Sequence, residues 1–110
     1  DTEHRQPAMR LALFVNLRSS ARRLPPVVRA ISDRLADNGI RTDVFATRHL
    51  AQLPAVIAGL RIEGVGGIAC LGGDGTHFHV LNGLIRRFGV EALPPIAVIP
   101  MGRGNSLPGT

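Results

Sequence analysis

The sequence predicts an α/β fold: a doubly wound parallel sheet with helices on both faces. Three observations predict it. Short apolar runs alternate with stretches whose apolar residues recur at helical spacing. The connections between them are short, which favours successive strands lying parallel in one sheet. Several of the runs end in polar or glycine-rich stretches, and in such sheets ligands bind beyond the carboxyl ends of the strands.

Residues 1–9 are polar and expected to fray, leaving 10–110 as one lobe. The run 10–16 (RLALFVN) reads as a first strand buried on both faces. It gives way to a polar loop, 16–21. Pro25 and Pro26 suit the first turn of a helix, Val28, Ile31 and Leu35 continue it, and Asn38-Gly39 stops it. A second strand is expected over 42–47. Leu53, Val56, Ile57 and Leu60 mark a second helix, with Pro54 acceptable near its start. Gly64 to Gly67 reads as a glycine-rich turn and 68–71 as a short apolar third strand. Phe78, Leu81, Ile85 and Phe88 then share one face of a third helix, closed by Gly89. A fourth strand over 95–100 runs into a second glycine turn, 101–106. The strand-end loops 16–21, 72–76 and 100–106 should therefore meet, with Thr47 ending the remaining strand beside them.

Composition narrows the chemistry. The net charge is +5, and all 13 basic residues are arginine. Without lysine there is no Walker A lysine, no Schiff-base lysine and no lysine general base. The charge suits nucleotide phosphates or an anionic surface. Nucleic acid is not expected as a partner, because there is no Tyr or Trp and no long arginine stripe. The single cysteine, Cys70, excludes an internal disulfide and a cysteine metal cluster; in an apolar strand it reads as a buried, inert thiol. No apolar run approaches the roughly 20 residues of a membrane span. The expected location is cytoplasmic, with peripheral membrane contact open. Starting at Asp1 and stopping in a Gly/Pro-rich stretch, the chain reads as a piece of a longer protein.

The densest motif is Gly72-Gly73-Asp74-Gly75-Thr76, between the third strand and the third helix. Glycines let backbone N–H groups approach an anion, and the new helix adds unpaired N–H groups and the positive end of its dipole. Asp74 is a favourable helix N-cap, but a cap needs no flanking glycines; the carboxylate among three of them points to chemistry or a metal ion. Thr76 fits equally a first-turn residue and a hydroxyl donor to phosphate. The dinucleotide fingerprint fails, since Phe78 stands where its last glycine belongs. His77 and His79, spaced by two on a helix, point apart and read as surface or helix-flank residues. Gly83 reads as permitting close packing on the sheet. Arg103, between two glycines at a strand end, is either a phosphate clamp or exposed.

Together, Gly72 through Thr76, Val80-Leu81-Asn82-Gly83-Leu84 and Ile99-Pro100-Met101-Gly102-Arg103-Gly104-Asn105 closely resemble the catalytic domain of diacylglycerol kinases. That family includes sphingosine kinases and bacterial lipid kinases and is related to NAD kinases and phosphofructokinases. Asn16 through Ser20 is similar to its first ATP loop, usually Asn-Pro-x-Ser-Gly.

The resemblance implies the N-terminal lobe of such a kinase, with ATP bound across the strand ends. Asn16, Arg18, Ser19 and Ser20 would line the first loop. Thr47 would contact the nucleotide, and Gly72, Gly73, Asp74, Gly75 and Thr76 would wrap the phosphates. Gly102, Arg103, Gly104 and Asn105 would complete the site. Asp74 matches the essential acid, acting through Mg²⁺ or on the attacking hydroxyl. Phosphoryl transfer needs mainly positioning and charge neutralisation, which such a loop and one carboxylate supply.

Three departures stand out. Leu17 and Ser20 replace the usual Pro and Gly of the first loop. Arg103 replaces a threonine or serine. The chain also stops before the β-rich second lobe that carries the lipid pocket and a further acid in that family. The lipid acceptor would therefore bind outside this segment, which is expected to hold nucleotide weakly and not to turn over alone. An exposed edge left by the missing lobe leaves a homodimer open. Two other readings remain: an NAD kinase relative, and a nucleotide-binding regulatory module without catalysis.

Overall fold

The structure, a computed structural model, describes residues 9–17, 24–72 and 74–100. Four strands, β1 (Met9–Asn16), β2 (Ile40–Thr47), β3 (Val65–Gly72) and β4 (Ile96–Pro100), alternate with three helices, α1 (Leu24–Asp37), α2 (Leu53–Ala58) and α3 (Asp74–Phe88). The sheet is parallel throughout, in the order β2-β1-β3-β4. From β1 the chain moves outward to β2, then crosses back to β3 on the other side. The topological switch point therefore lies between β1 and β3.

The central strands carry a side chain layer on each face, as the two-sided apolar runs require. Leu13, Val15, Ala69 and Leu71 meet Val27, Val28 and Ile31 of α1. On the other face, Ala12, Phe14, Ile68 and Cys70 pack with Leu53, Ile57 and Leu60 and with Val80 and Leu84 of α3. Phe14 stacks on Phe45 of the neighbouring strand, ring centroids 5.3 Å apart. Helices thus cover both faces, as the sequence predicts.

Local chemistry sets the element ends. The α1 helix stops at Gly39, whose φ of 78° suits glycine. The Asn38 side chain caps it by donating to the Arg34 carbonyl at 2.9 Å. Arg87 spans two helices. Its Nε donates to the Ile57 carbonyl at 3.0 Å and its Nη2 to the Leu60 carbonyl at 3.3 Å, satisfying carbonyls at the end of α2.

Three expectations are corrected. The turn before β3 is Glu63-Gly64 (Gly64 φ 81°), and the strand already begins at Val65, so Gly66 and Gly67 are strand residues. A Cβ at Gly66 would stand 2.6 Å from Met9 Cγ, so the glycine leaves room for the side chain of the adjacent strand β1. Of Phe78, Leu81, Ile85 and Phe88, which share one helical face, only Phe88 packs against the core. Thr76, Val80 and Leu84, four residues apart, are buried there, while Phe78 is 65% exposed and Leu81 is also exposed. Gly83 does permit a close approach, but to α2: a Cβ there would lie 2.6 Å from Ile57 Cδ1. No helix among the described residues is long and apolar enough to cross a membrane.

Candidate functional site

The carboxyl ends of the strands form one row. Asn16 stands opposite Thr47, and Gly72 opposite Pro100. Val15 pairs with Leu71, so Asn16 and Gly72 follow side by side. The row is closed between β1 and β2 by the Leu17 amide, which donates to the Thr47 carbonyl at 2.7 Å.

A buried polar side chain is the informative exception in a protein interior. Among the described residues the buried polar ones are Asn16, Thr47 and Thr76, and all three lie at this edge. The Asn16 Nδ2 donates to the Thr76 Oγ1 at 3.1 Å. That bond bridges β1 to the first turn of α3, across the switch point where open α/β sheets bind ligands. Thr76 tucks over the end of β3 because residue 72 is glycine: a Cβ there would sit 3.2 Å from both Thr76 Cβ and Oγ1.

Gly75 has a different reason. Its φ lies outside the left-handed region, and a Cβ added to it would meet nothing within 4 Å among the described residues. Neither backbone conformation nor packing demands glycine there, and glycine costs a helix up to about 1 kcal/mol relative to alanine. What the missing side chain leaves is open space at a helix start, where a ligand can come close to the backbone. Asp74 is the first residue of that helix.

The structure thus brings together Asn16, Thr47, Gly72, Gly75 and Thr76, with the backbone of Asp74. Arg18, Ser19, Ser20, Gly73, Gly102, Arg103, Gly104 and Asn105 lie outside the described residues. Asn82 sits on the exposed side of α3, donating to the Phe78 carbonyl at 2.9 Å. His79 is exposed and stands edge-on to the Phe78 ring; His77 is half-buried, and its Nε2 has no hydrogen-bond partner among the described residues. A groove of about 300 Å³ between α2 and α3, floored by Leu53, Ile57 and Gly83, contains none of the strand-end residues. Cys70 is 1% exposed, and burial pushes its thiol up to about 11, which keeps it protonated and unreactive.

Gln52 is a further ordering residue. Its Oε1 accepts from the amides of Arg48, at 2.7 Å, and His49, at 3.1 Å, fixing the turn that leaves β2. The sequence signal is the three-residue spacing from His49 to Gln52, half of a capping box.

The model of the diacylglycerol kinase catalytic domain matches residues 10–110. The chain is 39% identical to human ceramide kinase over 64 residues, which are 54% of this chain and 12% of that protein. It is 29% identical to sphingosine kinase 2 of Arabidopsis thaliana over 103 residues, 89% of this chain and 21% of that one. A crystal structure described as "a putative diacylglycerol kinase from Bacillus anthracis str. Sterne" superposes with a TM-score of 0.67 at 26% identity. The superposition covers 89% of this chain and 32% of that one. The chain therefore spans about a fifth or less of the length of these curated relatives. With the parallel sheet, the glycine turn into α3 and a match over nearly its whole length, this chain belongs to the diacylglycerol kinase catalytic domain family.

Proposed function

We propose that this chain is the nucleotide-binding lobe of a lipid kinase that moves the γ-phosphoryl group of ATP to a lipid hydroxyl. The observation that carries the reading is the placing of the buried polar residues Asn16, Thr47 and Thr76 along the carboxyl edge of the sheet, Asn16 bonded to Thr76 across the switch point. Backbone amides at Gly72, Gly75 and Thr76 bind phosphate oxygens. Thr47 and Asn16 line the neighbouring strand ends, and residues 18–20 and 102–105 belong to the same proposed nucleotide site.

The site suits a metal that arrives with its nucleotide. No group of three His, Cys, Asp or Glu side chains capable of holding a metal ion occurs among the described residues. Mg²⁺ commonly takes one or two carboxylates and completes its shell with waters and substrate phosphates. Asp74 is the single carboxylate of this turn, and it fits that pattern. Bound there, Mg²⁺ supplies neutralisation of phosphate charge. Asp74 serves either by holding that ion or by taking the proton of the attacking hydroxyl. The new bond joins the lipid oxygen to the γ-phosphorus as the bond to the β-phosphate oxygen breaks, and ADP leaves.

The acceptor lipid binds to the part of the kinase that lies beyond this segment, and a lipid acceptor brings the full-length protein to a membrane surface. Calorimetric titration of the full-length protein with ATP and Mg²⁺, followed by phosphorylation assays on diacylglycerol, ceramide and sphingoid bases, tests this. The expected result is ATP binding, transfer to one of these lipids, and loss of transfer in Asp74→Asn with binding retained. Transfer to NAD and to no lipid would assign the chain to the NAD kinase side, and binding without transfer would make it a regulatory module.

A further inference from the structure

Phosphoryl transfer collects negative charge, and this chain must answer it without lysine. Metal aside, the cations available are arginines, and their placement is informative. Among the described residues, Arg10 and Arg41 stand near the starts of β1 and β2, and both approach Asp43, at 2.7 and 3.9 Å. Arg34 lies in the last turn of α1, and Arg86 and Arg87 in the last turn of α3. Those turns are at the amino edge of the sheet, because each helix runs back against its strands. Arg87 is already bonded to two carbonyls.

Arg48 differs from all of these. It is the residue directly after the carboxyl end of β2, one position beyond Thr47, whose partner Asn16 is bonded to Thr76. It is exposed, and among the described residues no carboxylate pairs with it. Its backbone is nonetheless fixed, because its amide and that of His49 both donate to Gln52 Oε1. The turn therefore fixes the backbone of an exposed arginine beside the row of strand ends, its amide held by one side chain carbonyl.

We propose that Arg48 contacts the phosphate chain of the bound nucleotide, and that Gln52 is the positioning residue that holds it there. The inference rests on the nucleotide reading above and adds a further cation that answers the charge. A guanidinium presents two N–H groups to phosphate oxygens at once, which a lysine in the same place would not.

The experiment is equilibrium titration of the full-length protein with a fluorescent ATP analogue, with ATP and with adenosine, at low and moderate salt. Arg48→Gln should weaken ATP binding about five- to tenfold, leave adenosine binding unchanged and flatten the salt dependence; Arg48→Lys should recover part of the loss. Gln52→Leu should weaken ATP about threefold or more, and should add nothing in an Arg48→Gln background, because it acts through Arg48. ATP binding to Arg48→Gln as tight as to the wild type would overturn the proposal and leave the nucleotide reading standing. Equal losses for ATP and adenosine would overturn the phosphate contact, and a Gln52→Leu effect that persists without Arg48 would overturn the positioning role. A wild-type protein that binds no ATP would instead remove the nucleotide reading on which all of this rests.

Discussion

The side chain amide of Asn16 donates to the hydroxyl of Thr76 at 3.1 Å, across 60 residues of sequence and between two buried side chains. The bond joins the end of the first strand to the start of the third helix, so it couples the strand-end row to the glycine turn. Thr76→Val keeps the shape and removes the acceptor. Burying a polar group after its partner is lost costs about 1–3 kcal/mol, and the lower half of that range is expected because Asn16 makes a further interaction. The midpoint of urea unfolding should fall with an unchanged slope. An unchanged midpoint would mean that the pair contributes nothing to holding the turn.

Arg87 closes the junction of the two helices on one face. Arg87→Ala removes the donor to the Leu60 carbonyl and one of two donors to the Ile57 carbonyl, which keeps the Leu60 amide at 3.1 Å, and it removes the guanidinium that stands 4.5 Å over the Phe88 ring. The expected loss is about 1–2 kcal/mol, from hydrogen bonds to a charged donor that is part-buried. Amide hydrogen exchange should report it as faster exchange in α2, with β1 and β3 little changed. Uniform change across the sheet would contradict the local role.

The strand ends were legible in the sequence because their chemistry is local: apolar runs stop where glycines and polar residues begin. What stayed hidden depends on neighbours distant in sequence. Phe78 and Leu81 share a helical face and look like core, yet α3 turns Thr76, Val80 and Leu84 to the sheet. A threonine can occupy a core position there because Asn16 satisfies its hydroxyl, and periodicity of hydrophobic residues cannot register such a pair. The start of β3 was hidden similarly. Gly66 suggests a turn when read alone, but beside β1 its missing side chain makes room for Met9. The capping of α2 by Arg87 has no sequence signature, since donor and acceptors lie 30 and 27 residues apart.

Cys70 makes stability depend on pH at the alkaline end. Its thiol is raised from 9.0 to about 11 by burial, so the folded state holds the proton more tightly than the unfolded chain. Below pH 9 both states are protonated and the group's contribution is fully present. As pH rises from 9 toward 11 the unfolded chain binds fewer protons than the native state, and stability falls. The slope from this residue approaches about 1.4 kcal/mol per pH unit in that window. Cys70→Ala, though it opens a small cavity at neutral pH, should lose less stability than the parent between pH 9 and 11. Parallel unfolding curves for the two proteins across that range would refute the assignment.

Gly75→Ala separates folding from function at one position. A Cβ there meets nothing within 4 Å among the described residues and the backbone does not require glycine, so alanine is expected to fit without strain. Alanine also removes conformational freedom from the unfolded chain and favours helix, a gain of up to about 1 kcal/mol that is smaller in a first turn. If the open space serves a phosphate, the same methyl group stands in its path. Thermal unfolding without ligand should therefore occur at an equal or slightly higher temperature, while calorimetric titration with ATP and Mg²⁺ shows clearly weaker binding. These opposite signs are what a ligand-reserved glycine produces and a purely structural one does not. Unchanged ATP affinity with raised stability would make Gly75 an incidental residue and take the phosphates away from this turn.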